Sequence, residues 1–479
     1  MQVISKRPGR SFIRVAVSVL IPAAVVGAFL VPAATLRPLD EDEGYYALAS
    51  KLVGHGKTPY TSFWYPQAPL MPYVYGAWQR VTQESWYLLR GLSVLLTIAL
   101  AYMVYRYAVK RWRSRRLAVV AVLLLAATPL GFEWYPTVKT YALSTLLLFS
   151  AYIWAESSSA RNWFVAGVFL GLAIDARLLV ASVVVVFLLY ARRSAVHFLI
   201  GLTLGLIPAI WFFVIGPRRF LSDTLTSQTT RSQTTFADNL FDKARTVARV
   251  LVEPHFLLFA GVGILLILVC IFRRKPLPLS IAIASILAIT NLLPTPSYPQ
   301  YFVTIIPFLA IATIELIQLL GISKPVLGNR FLAVTAVVVI LPAAWSLHHT
   351  TSANATRSRI SDLRAISRAV DRHAQEGEVV LAFWPGFVYE SHARQISGLE
   401  SDFAPAAVAN GHISEARAAE YHMLSTSQIA KAIRSHTTRL IVFGRGNANR
   451  GIRWRPIMLA AGYRPVERVR DATLFALGP

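Results

Sequence analysis

The chain contains very little cysteine and few charged side chains for its length. A single cysteine, Cys270, occurs in 479 residues, and it lies inside an apolar run. An intrachain disulfide and a thiolate metal site are therefore both excluded. Charged residues make up 15% of the chain, well below the roughly one quarter that is usual in soluble domains. This composition argues against an ordinary soluble enzyme.

Acidic residues are scarcer still, with 24 Asp and Glu against 48 Lys and Arg, which gives a net charge of +24. In a soluble protein, such a balance would first suggest nucleic-acid binding. Here the basic residues cluster between apolar runs, as expected for loops on the cytoplasmic side of a membrane. We therefore attribute the charge to membrane topology and to attraction by anionic lipid headgroups, and expect no nucleic-acid partner.

Long apolar runs dominate the sequence, which is 55% hydrophobic with a mean hydropathy of +0.50. A membrane-spanning helix needs about 20 predominantly apolar residues. The hydropathy pattern predicts about eleven spans: Phe12–Ala34, Tyr87–Val109, Leu117–Gly131, Tyr141–Ala155, Trp163–Ala176, Leu178–Tyr190, Ala195–Ile215, Pro254–Phe272, Leu277–Leu293, Tyr301–Leu320 and Phe331–Leu347. The basic clusters then fall on one side, which predicts a cytoplasmic N-terminus and a C-terminus on the outer face. The first run is long for a signal peptide, so we expect it to be an uncleaved helix.

After about residue 350 the composition changes, and residues 351–479 carry 11 of the 24 acids without a long apolar run. Residues 1–350 are therefore predicted to form the membrane domain and 351–479 a periplasmic domain. Alternating elements favour a small soluble α/β domain. The expected helices are Ile360–Gln375, Ile413–Tyr421 and Ser427–Ser435, and the expected strands are Val379–Phe383 and Leu440–Phe443.

The first outer loop, residues 36–86, opens with four consecutive acids, Asp40–Glu43. Packed like charges raise one another's pKa, so this run requires solvent or a positive partner. By itself it fits a solvated helix cap and a functional site equally well. The segment Phe63–Tyr73 is dense in aromatic residues and proline. Such a segment suits the bilayer interface or stacking on sugar rings, and predicts short interfacial helices in this loop.

The order of these features resembles a family. A first helix is followed by an outer loop that opens Asp-Glu-x-x-Tyr, here Asp42–Tyr46, and about twenty residues later by an aromatic and Pro-Leu cluster. This order resembles the integral-membrane glycosyltransferases of the GT-C fold, in particular the dolichyl-phosphate-mannose–protein mannosyltransferases and the aminoarabinose transferases. The resemblance covers roughly the first ten predicted helices. Where the aminoarabinose transferases carry Lys-Pro-Pro-Leu, this chain has Gln67–Leu70 without the lysine.

The resemblance implies an enzyme of the bacterial inner membrane that moves a hexose or pentose from a polyprenyl phosphate to a lipid, polysaccharide or protein acceptor. The transfer would occur at the outer face, with inversion at the anomeric carbon. By position, Asp42 would be the catalytic base. The substrate-binding candidates are Glu43, Tyr46, Glu133, Lys139, Arg177, Arg218 and Tyr301, with the cations serving the leaving phosphate.

Several of these side chains also have simpler explanations. Arg219 and Arg231, in the same outer loop as Arg218, are further candidate cations for the phosphate, but Arg218 and Arg219 could instead reach the interface by snorkelling. Tyr301 could be an interfacial anchor, and Asp175 could form an ion pair with Arg177 near the end of a helix. Each of these interpretations remains open at this point.

No element carries His, Cys and acidic residues at metal-ligand spacing, so no metal or other cofactor is expected, although Asp42 with Glu43 or Asp40 leaves a divalent ion possible.

The first alternative to a glycosyltransferase is a transporter or flippase for a lipid-linked or small polar substrate, which would be expected to show inverted repeats and mid-membrane polar residues. Neither is apparent. The second alternative, a membrane scaffold, leaves the Asp-Glu-x-x-Tyr loop unexplained.

Overall fold

The structure is a computed structural model that describes residues 8–157, 159–227, 235–321, 329–352, 358–409, 413–444 and 453–478. The helices up to residue 352 are α1 (Pro8–Leu36), α2 (Glu41–Gly54), α3 (Leu70–Val81), α4 (Trp86–Trp112), α5 (Arg115–Ala126), α6 (Pro129–Trp134), α7 (Tyr141–Ala155), α8 (Ala160–Ala176), Val183–Ala191, Ala195–Gly205, Ile207–Ile215, Pro217–Leu221, Phe236–Val252, Pro254–Phe272, Leu279–Thr290, Ile306–Leu319 and Asn329–Ser352. Short 3-10 helices, Leu178–Ser182 and Pro299–Ile305, precede two of them.

The protein is a multi-pass membrane protein. Within the described residues, five helical stretches are long and apolar enough to cross a bilayer: Ser18–Leu36, Trp86–Trp112, Leu178–Gly205, Pro254–Phe272 and Pro299–Leu319. The helices Tyr141–Ala155 and Leu279–Thr290 are apolar but shorter. The polytopic helical architecture is thus confirmed, whereas the count of eleven spans stays a prediction. Several predicted spans are broken, because prolines such as Pro129 and Pro208 start a new helix within the apolar run.

The first loop is folded into two short helices, α2 and α3, as the sequence predicts. They pack against each other closely, because a Cβ on Gly76 would lie 2.7 Å from the carbonyl oxygen of Ser50. Tyr45, Tyr65 and Tyr75 are buried between the helices and their neighbours. The loop is therefore a rigid layer at one end of the bundle and not a flexible connection.

A pair of glycine repeats brings α8 against the helix Ala195–Gly205. Gly167 and Gly171 on α8 face Gly201 and Gly205, and a Cβ on Gly171 would lie 2.5 Å from the carbonyl oxygen of Leu202. Small residues four apart allow helix backbones to approach closely in a membrane, where dispersion contacts replace the hydrophobic effect. This contact fixes the position of α8, whose C-cap residue is Arg177.

Replacing Gly201 by alanine is expected to destabilise the bundle by about 1–3 kcal/mol, because the added methyl group would meet the backbone carbonyl of Phe164. The thermal midpoint of the detergent-solubilised protein measures the effect. Gly91→Ala is the matched control, since a Cβ at Gly91 on α4 meets no atom within 4 Å. That variant should be unchanged or slightly stabilised by alanine's higher helix propensity. Equal midpoints for the two variants would contradict the close-packing argument.

The C-terminal part contains a five-stranded mixed sheet. Its strands are β1 (Val379–Ala382), β2 (Arg394–Gln395), β3 (Leu440–Phe443), β4 (Tyr463–Val469) and β5 (Ala472–Leu477), in the order β2-β1-β3-β5-β4. β1 pairs in parallel with β2 and β3, while β5 pairs antiparallel with β3 and β4. The accompanying helices are Ile360–His373, Ala404–Ala409, Glu415–Glu420, Thr426–Arg434 and Trp454–Ala460. The predicted α/β character is confirmed, and the β4–β5 hairpin is an addition to it.

The C-terminal part packs directly on α2 and the start of α4. Trp384 donates from its indole nitrogen to the carbonyl oxygen of Glu41 at 2.8 Å, and its ring stacks on Trp86 with an interplanar angle of 2°. Lys51 donates to the carbonyl oxygens of Tyr389 and Ser391, both at 3.0 Å. The membrane part and the C-terminal part therefore share a buried interface at the first loop. This interface fixes the position of the start of α2.

Candidate active site

The first turn of α2 separates the run of acids into different environments. Asp40 is the N-cap, and its carboxylate accepts from the backbone N–H of Asp42 at 3.1 Å. Glu43 completes the capping box by accepting from the backbone N–H of Asp40 at 2.9 Å. Negative charge at a helix N-terminus is also stabilised by the helix dipole. The four acids therefore cannot act as one unit, because the helix turns their side chains in different directions.

Glu43 is fully buried and paired with Arg90 of α4. Arg90 donates to both carboxylate oxygens of Glu43, from Nε at 2.9 Å and from Nη2 at 2.6 Å. The backbone N–H of Val138 donates to the same carboxylate at 3.0 Å. Burial alone would raise the pKa of Glu43, but attraction to Arg90 lowers it below the usual value. With both oxygens engaged, Glu43 has no free face for a substrate, so its position is that of a support and not of a binding residue.

Lys139 joins the other two acids of the first turn. Its Nζ lies 2.5 Å from Oδ1 of Asp40 and 2.7 Å from Oδ2 of Asp42. Burial would lower the pKa of Lys139, but the two carboxylates raise it well above its usual value. Burial would likewise raise the pKa of Asp40, and the charge of Lys139 lowers it to about 2. The lysine and Asp40 are therefore both ionised at neutral pH.

Asp42 differs from its neighbours in exposure. Its side chain is 34% exposed, against 13% for Asp40 and none for Glu43. Lys139 engages Oδ2, and no hydrogen bond from the described part of the chain reaches Oδ1. A carboxylate that is fixed at one oxygen and open at the other can accept a proton from a group that approaches from solvent.

Arg177 follows α8 in an extended conformation and is 6% exposed. Its Nη1 donates to the hydroxyl of Thr140 at 3.3 Å, and the guanidinium lies 4.7 Å from the ring centre of Tyr141 and 5.1 Å from that of Tyr301. Among the described residues, Nε and Nη2 have no hydrogen-bond partner although both are buried. Two buried donors on one planar guanidinium match the oxygens of a phosphate.

Tyr46, on α2, and Tyr301 both lie near these cations. Tyr46 is buried, and the charges of Asp42, Lys139 and Arg177 all act on its hydroxyl. Burial is the largest cause of its raised pKa, followed by Asp42, so the phenol stays a neutral donor. Tyr301 lies in the 3-10 helix that starts at Pro299. The structure thus brings five of the predicted residues together: Asp42, Lys139, Tyr46, Arg177 and Tyr301.

Two of the predicted residues lie elsewhere. Glu133 on α6 accepts from the hydroxyl of Thr350 at 2.9 Å, which ties it to the helix Asn329–Ser352. Arg218 is exposed and lines a surface cavity of about 300 Å³ together with Tyr60, Phe212 and Glu420. That cavity includes none of the five clustered side chains. Arg231 lies outside the described residues.

The expected ion pair between Asp175 and Arg177 is not formed: Arg177 donates to Thr140, and among the described residues neither carboxylate oxygen of Asp175 has a hydrogen-bond partner. Two other residues were missed from the sequence. Arg90 anchors Glu43, and Arg37 places its guanidinium 4.4 Å from the ring centre of Trp134. Lys139 lies 4.9 Å from the centre of the same ring. Both arginines could have been identified from the sequence, since an arginine inside or just after an apolar helix is unusual and needs an acidic or polar partner.

The cluster consists of carboxylates, cations and phenols. Among the described residues, no group of three or more His, Cys, Asp or Glu side chains is arranged to hold a metal ion. Lys139 occupies the space between Asp40 and Asp42 where such an ion would otherwise be attracted. The arrangement is suited to stabilising a negatively charged leaving group beside a carboxylate.

Comparisons with known proteins identify the fold. The family model for dolichyl-phosphate-mannose-protein mannosyltransferase matches residues 66–215. The crystal structure of ArnT from Cupriavidus metallidurans bound to undecaprenyl phosphate has a TM-score of 0.66 at 15% identity, covering 99% of this chain and 100% of that one. This chain has the fold of the GT-C glycosyltransferases. The predicted resemblance to the GT-C fold is thereby confirmed.

This chain is also similar to a second solved structure with the GT-C fold. The oligosaccharyltransferase of Archaeoglobus fulgidus in its apo form has a TM-score of 0.55 at 12% identity, and the match covers 90% of this chain and 69% of that one. At such identities, the likeness establishes the fold and not the substrate. No curated protein matches the sequence significantly.

Proposed function

We propose that this chain is a GT-C glycosyltransferase that moves a sugar from a polyprenyl phosphate to a lipid, polysaccharide or protein acceptor at the outer face of a bacterial inner membrane. The observation that carries the proposal is that Asp42, half-exposed and held by buried Lys139, and Arg177, whose buried Nε and Nη2 have no partner among the described residues, both act on the hydroxyl of Tyr46. These groups meet at one end of the membrane bundle. A carrier phosphate embedded in the outer leaflet would present its sugar at that level.

The leaving group in this reaction is the polyprenyl phosphate. As the anomeric C–O bond breaks, negative charge accumulates on the phosphate oxygens, and preorganised cations lower the barrier most when they need not move. Arg177 is held in place by Thr140 and by the rings of Tyr141 and Tyr301. The undecaprenyl phosphate in the ArnT structure supports a carrier of this class.

Asp42 is the proposed base. Its open Oδ1 would take the proton of the acceptor nucleophile while the nucleophile attacks the anomeric carbon from the face opposite the phosphate. A single displacement of this kind inverts the configuration. Lys139 keeps the carboxylate from rotating, and the hydroxyl of Tyr46, within electrostatic reach of both Asp42 and Arg177, can bond to the substrate. In this proposal no metal ion is required.

The proposed function is tested in a deletion strain. Loss of the enzyme should cause one sugar-linked polyprenyl phosphate to accumulate, and mass spectrometry of the lipid extract identifies its sugar by mass. The purified enzyme should then consume that lipid, release polyprenyl phosphate and reverse the anomeric configuration. An unchanged lipid profile, together with no turnover of sugar-linked polyprenyl phosphates by the purified protein, would overturn the proposal.

Arg177→Gln should weaken binding of undecaprenyl phosphate by about 10- to 100-fold, the loss expected from one charged hydrogen-bonding partner. Binding to the protein in lipid nanodiscs measures the effect. Arg161→Gln is the matched control, because Arg161 lies on the same helix, α8, at its other end and is exposed. Equal affinities of the two variants would rule out Arg177 as a phosphate ligand.

A further inference from the structure

Three buried polar groups near the candidate active site have unused hydrogen-bonding capacity. Among the described residues, both carboxylate oxygens of Asp175, Oδ1 of Asp223 and the hydroxyl of Tyr65 have no hydrogen-bond partner. Asp175 and Tyr65 have no exposed surface, and Asp223 is 1% exposed. An unpaired buried polar group is destabilising, so three in one place indicate a ligand that would satisfy them.

The three groups belong to one neighbourhood. The backbone N–H of Tyr65 donates to Oδ2 of Asp223 at 3.3 Å, and Asp175 is within electrostatic reach of the hydroxyl of Tyr65. Both carboxylates act on the hydroxyl of Tyr60, which itself donates to the carbonyl oxygen of Gln67 at 2.6 Å. Three separate parts of the chain thus supply the groups: α8, the first loop and the segment after Pro217.

This neighbourhood adjoins the proposed catalytic groups. Tyr65 contacts Tyr46, with ring centres 6.4 Å apart, and the hydroxyl of Tyr46 is within electrostatic reach of Asp42 and Arg177. Asp175 precedes Arg177 by two residues, so their backbones are separated by less than about 7 Å. A sugar attached to a phosphate at Arg177 would span a comparable distance. The unpartnered groups therefore lie where the body of a transferred sugar would be.

The charge of the groups favours a neutral ligand. Burial raises the pKa of Asp223 well above its usual value, and Arg219 only partly opposes this. Burial also raises the pKa of Tyr65 well above its usual value. A protonated carboxyl group and a phenol both donate and accept hydrogen bonds, and sugar hydroxyls do the same. The aromatic rings of Tyr45, Tyr46 and Tyr60 around Tyr65 would pack on the apolar face of a sugar ring.

We infer that Asp175, Asp223 and Tyr65 bind the hydroxyl groups of the transferred sugar, and that this sugar is a neutral pentose or hexose. The inference rests on the proposed function, because it assigns a sugar site beside the carrier phosphate. Bonds from these groups would orient the ring so that its anomeric carbon faces Asp42, and would select among sugars by the positions of their hydroxyls.

The test compares bare undecaprenyl phosphate with a panel of undecaprenyl phosphates that carry neutral pentoses and hexoses. Binding to the protein in nanodiscs is measured for the unmodified protein, Tyr65→Phe and Asp175→Val. The unmodified protein should bind at least one sugar-linked carrier more tightly than the bare one. Each variant should weaken that sugar-linked binding by roughly 10-fold, the loss expected from one hydrogen bond, and leave the bare carrier within about twofold.

Controls separate sugar recognition from folding. Tyr65→Phe removes one unpartnered oxygen, and Asp175→Val removes two, so both variants should melt at the same or a higher temperature than the unmodified protein. Tyr107→Phe removes a buried hydroxyl that pairs with Tyr152 at 2.7 Å, away from the site, and should leave the ratio of sugar-linked to bare affinity unchanged. Asp175→Asn keeps the hydrogen-bonding capacity and should retain most of the sugar-linked affinity.

Three results would overturn the inference while leaving the proposed function intact. The first is that no panel member binds more tightly than bare undecaprenyl phosphate. The second is that the two variants change sugar-linked and bare binding equally, or change neither. The third is that an amino-sugar carrier binds more tightly than every neutral one. If the unmodified protein does not bind bare undecaprenyl phosphate, the proposed function fails, and this inference fails with it.

Discussion

Asp42→Asn is expected to lower the rate of sugar transfer by roughly 10²- to 10⁴-fold, the usual contribution of a general base. The amide has the same shape as the carboxylate and can still accept a hydrogen bond from Lys139 through its oxygen, but it cannot take up the proton of the acceptor. The loss should therefore appear in turnover and not in carrier binding. Transfer from a sugar-linked polyprenyl phosphate and binding of undecaprenyl phosphate, measured on the same preparation, separate the two effects.

Glu41→Gln is the control for this prediction. It removes one negative charge from the neighbouring position of the same helix turn, and the described contacts of Glu41 are made by its backbone, which accepts from Trp384. Its turnover should stay within about threefold of the unmodified enzyme, since the side chain of Glu41, which is partly exposed, forms no ion pair among the described residues. An Asp42→Asn enzyme that keeps more than a tenth of its turnover would show that the acceptor is activated by another group.

The sequence was sufficient to predict the elements with a local signal. The span Pro254–Phe272 was predicted at its observed bounds, because it begins at a proline and ends at a basic cluster. β3 was predicted for a similar reason, as its four apolar residues form a short buried run. Asp42 stood out through the pattern of the first loop, which the family resemblance made interpretable. Its role as base stays a prediction.

The elements that were missed depend on contacts between distant residues. β4 is mostly polar and half-exposed, and it is a strand because β5 pairs with it along one edge of the sheet. Hydropathy cannot detect such a strand, since one face is open to solvent. The pairing of Glu43 with Arg90 joins positions 47 residues apart, and the run of four acids gave no indication of which one would be buried. The cap of α2 and the packing of α4 against it determine which of the four acids is buried.

The same distinction applies to the candidate site. The cations Lys139 and Arg177 were selected from their location near outer helix ends, and they do lie beside α2, whereas Arg218 had the same sequence signal and lies in a separate surface cavity. Lys139 and Arg177 differ from Arg218 in solvent exposure, since both are buried and Arg218 is exposed. A cation that is buried against aromatic rings is fixed in position, while an exposed one on a loop is free to reach the lipid interface.

Arg90→Leu is expected to destabilise the protein by about 3–5 kcal/mol, the cost of leaving one partner of a buried ion pair without its counter-charge. Besides Glu43, Arg90 donates to the carbonyl oxygens of Ala34 and Arg37, at 3.0 and 2.9 Å, so its loss also releases the end of α1. The thermal midpoint in detergent should fall sharply. Sugar transfer should fall even in the fraction that stays folded, because Glu43 also fixes the backbone of Val138, next to Lys139.

The double variant Glu43→Leu/Arg90→Leu distinguishes this explanation from a general loss of packing. Removing both charges leaves no uncompensated ion, so the double variant should be more stable than Arg90→Leu alone. Arg364→Leu is the matched single control, because its ion pair with Glu390 spans 3.3 Å and Arg364 is 56% exposed. That substitution should cost only about 1 kcal/mol, because the guanidinium of Arg364 is largely solvated and Glu390 keeps its hydrogen bond from the backbone N–H of Trp86. If Arg90→Leu and Arg364→Leu have the same midpoint, or if the double variant is the least stable of the three, the buried pair does not support the first turn of α2 in the way its geometry implies.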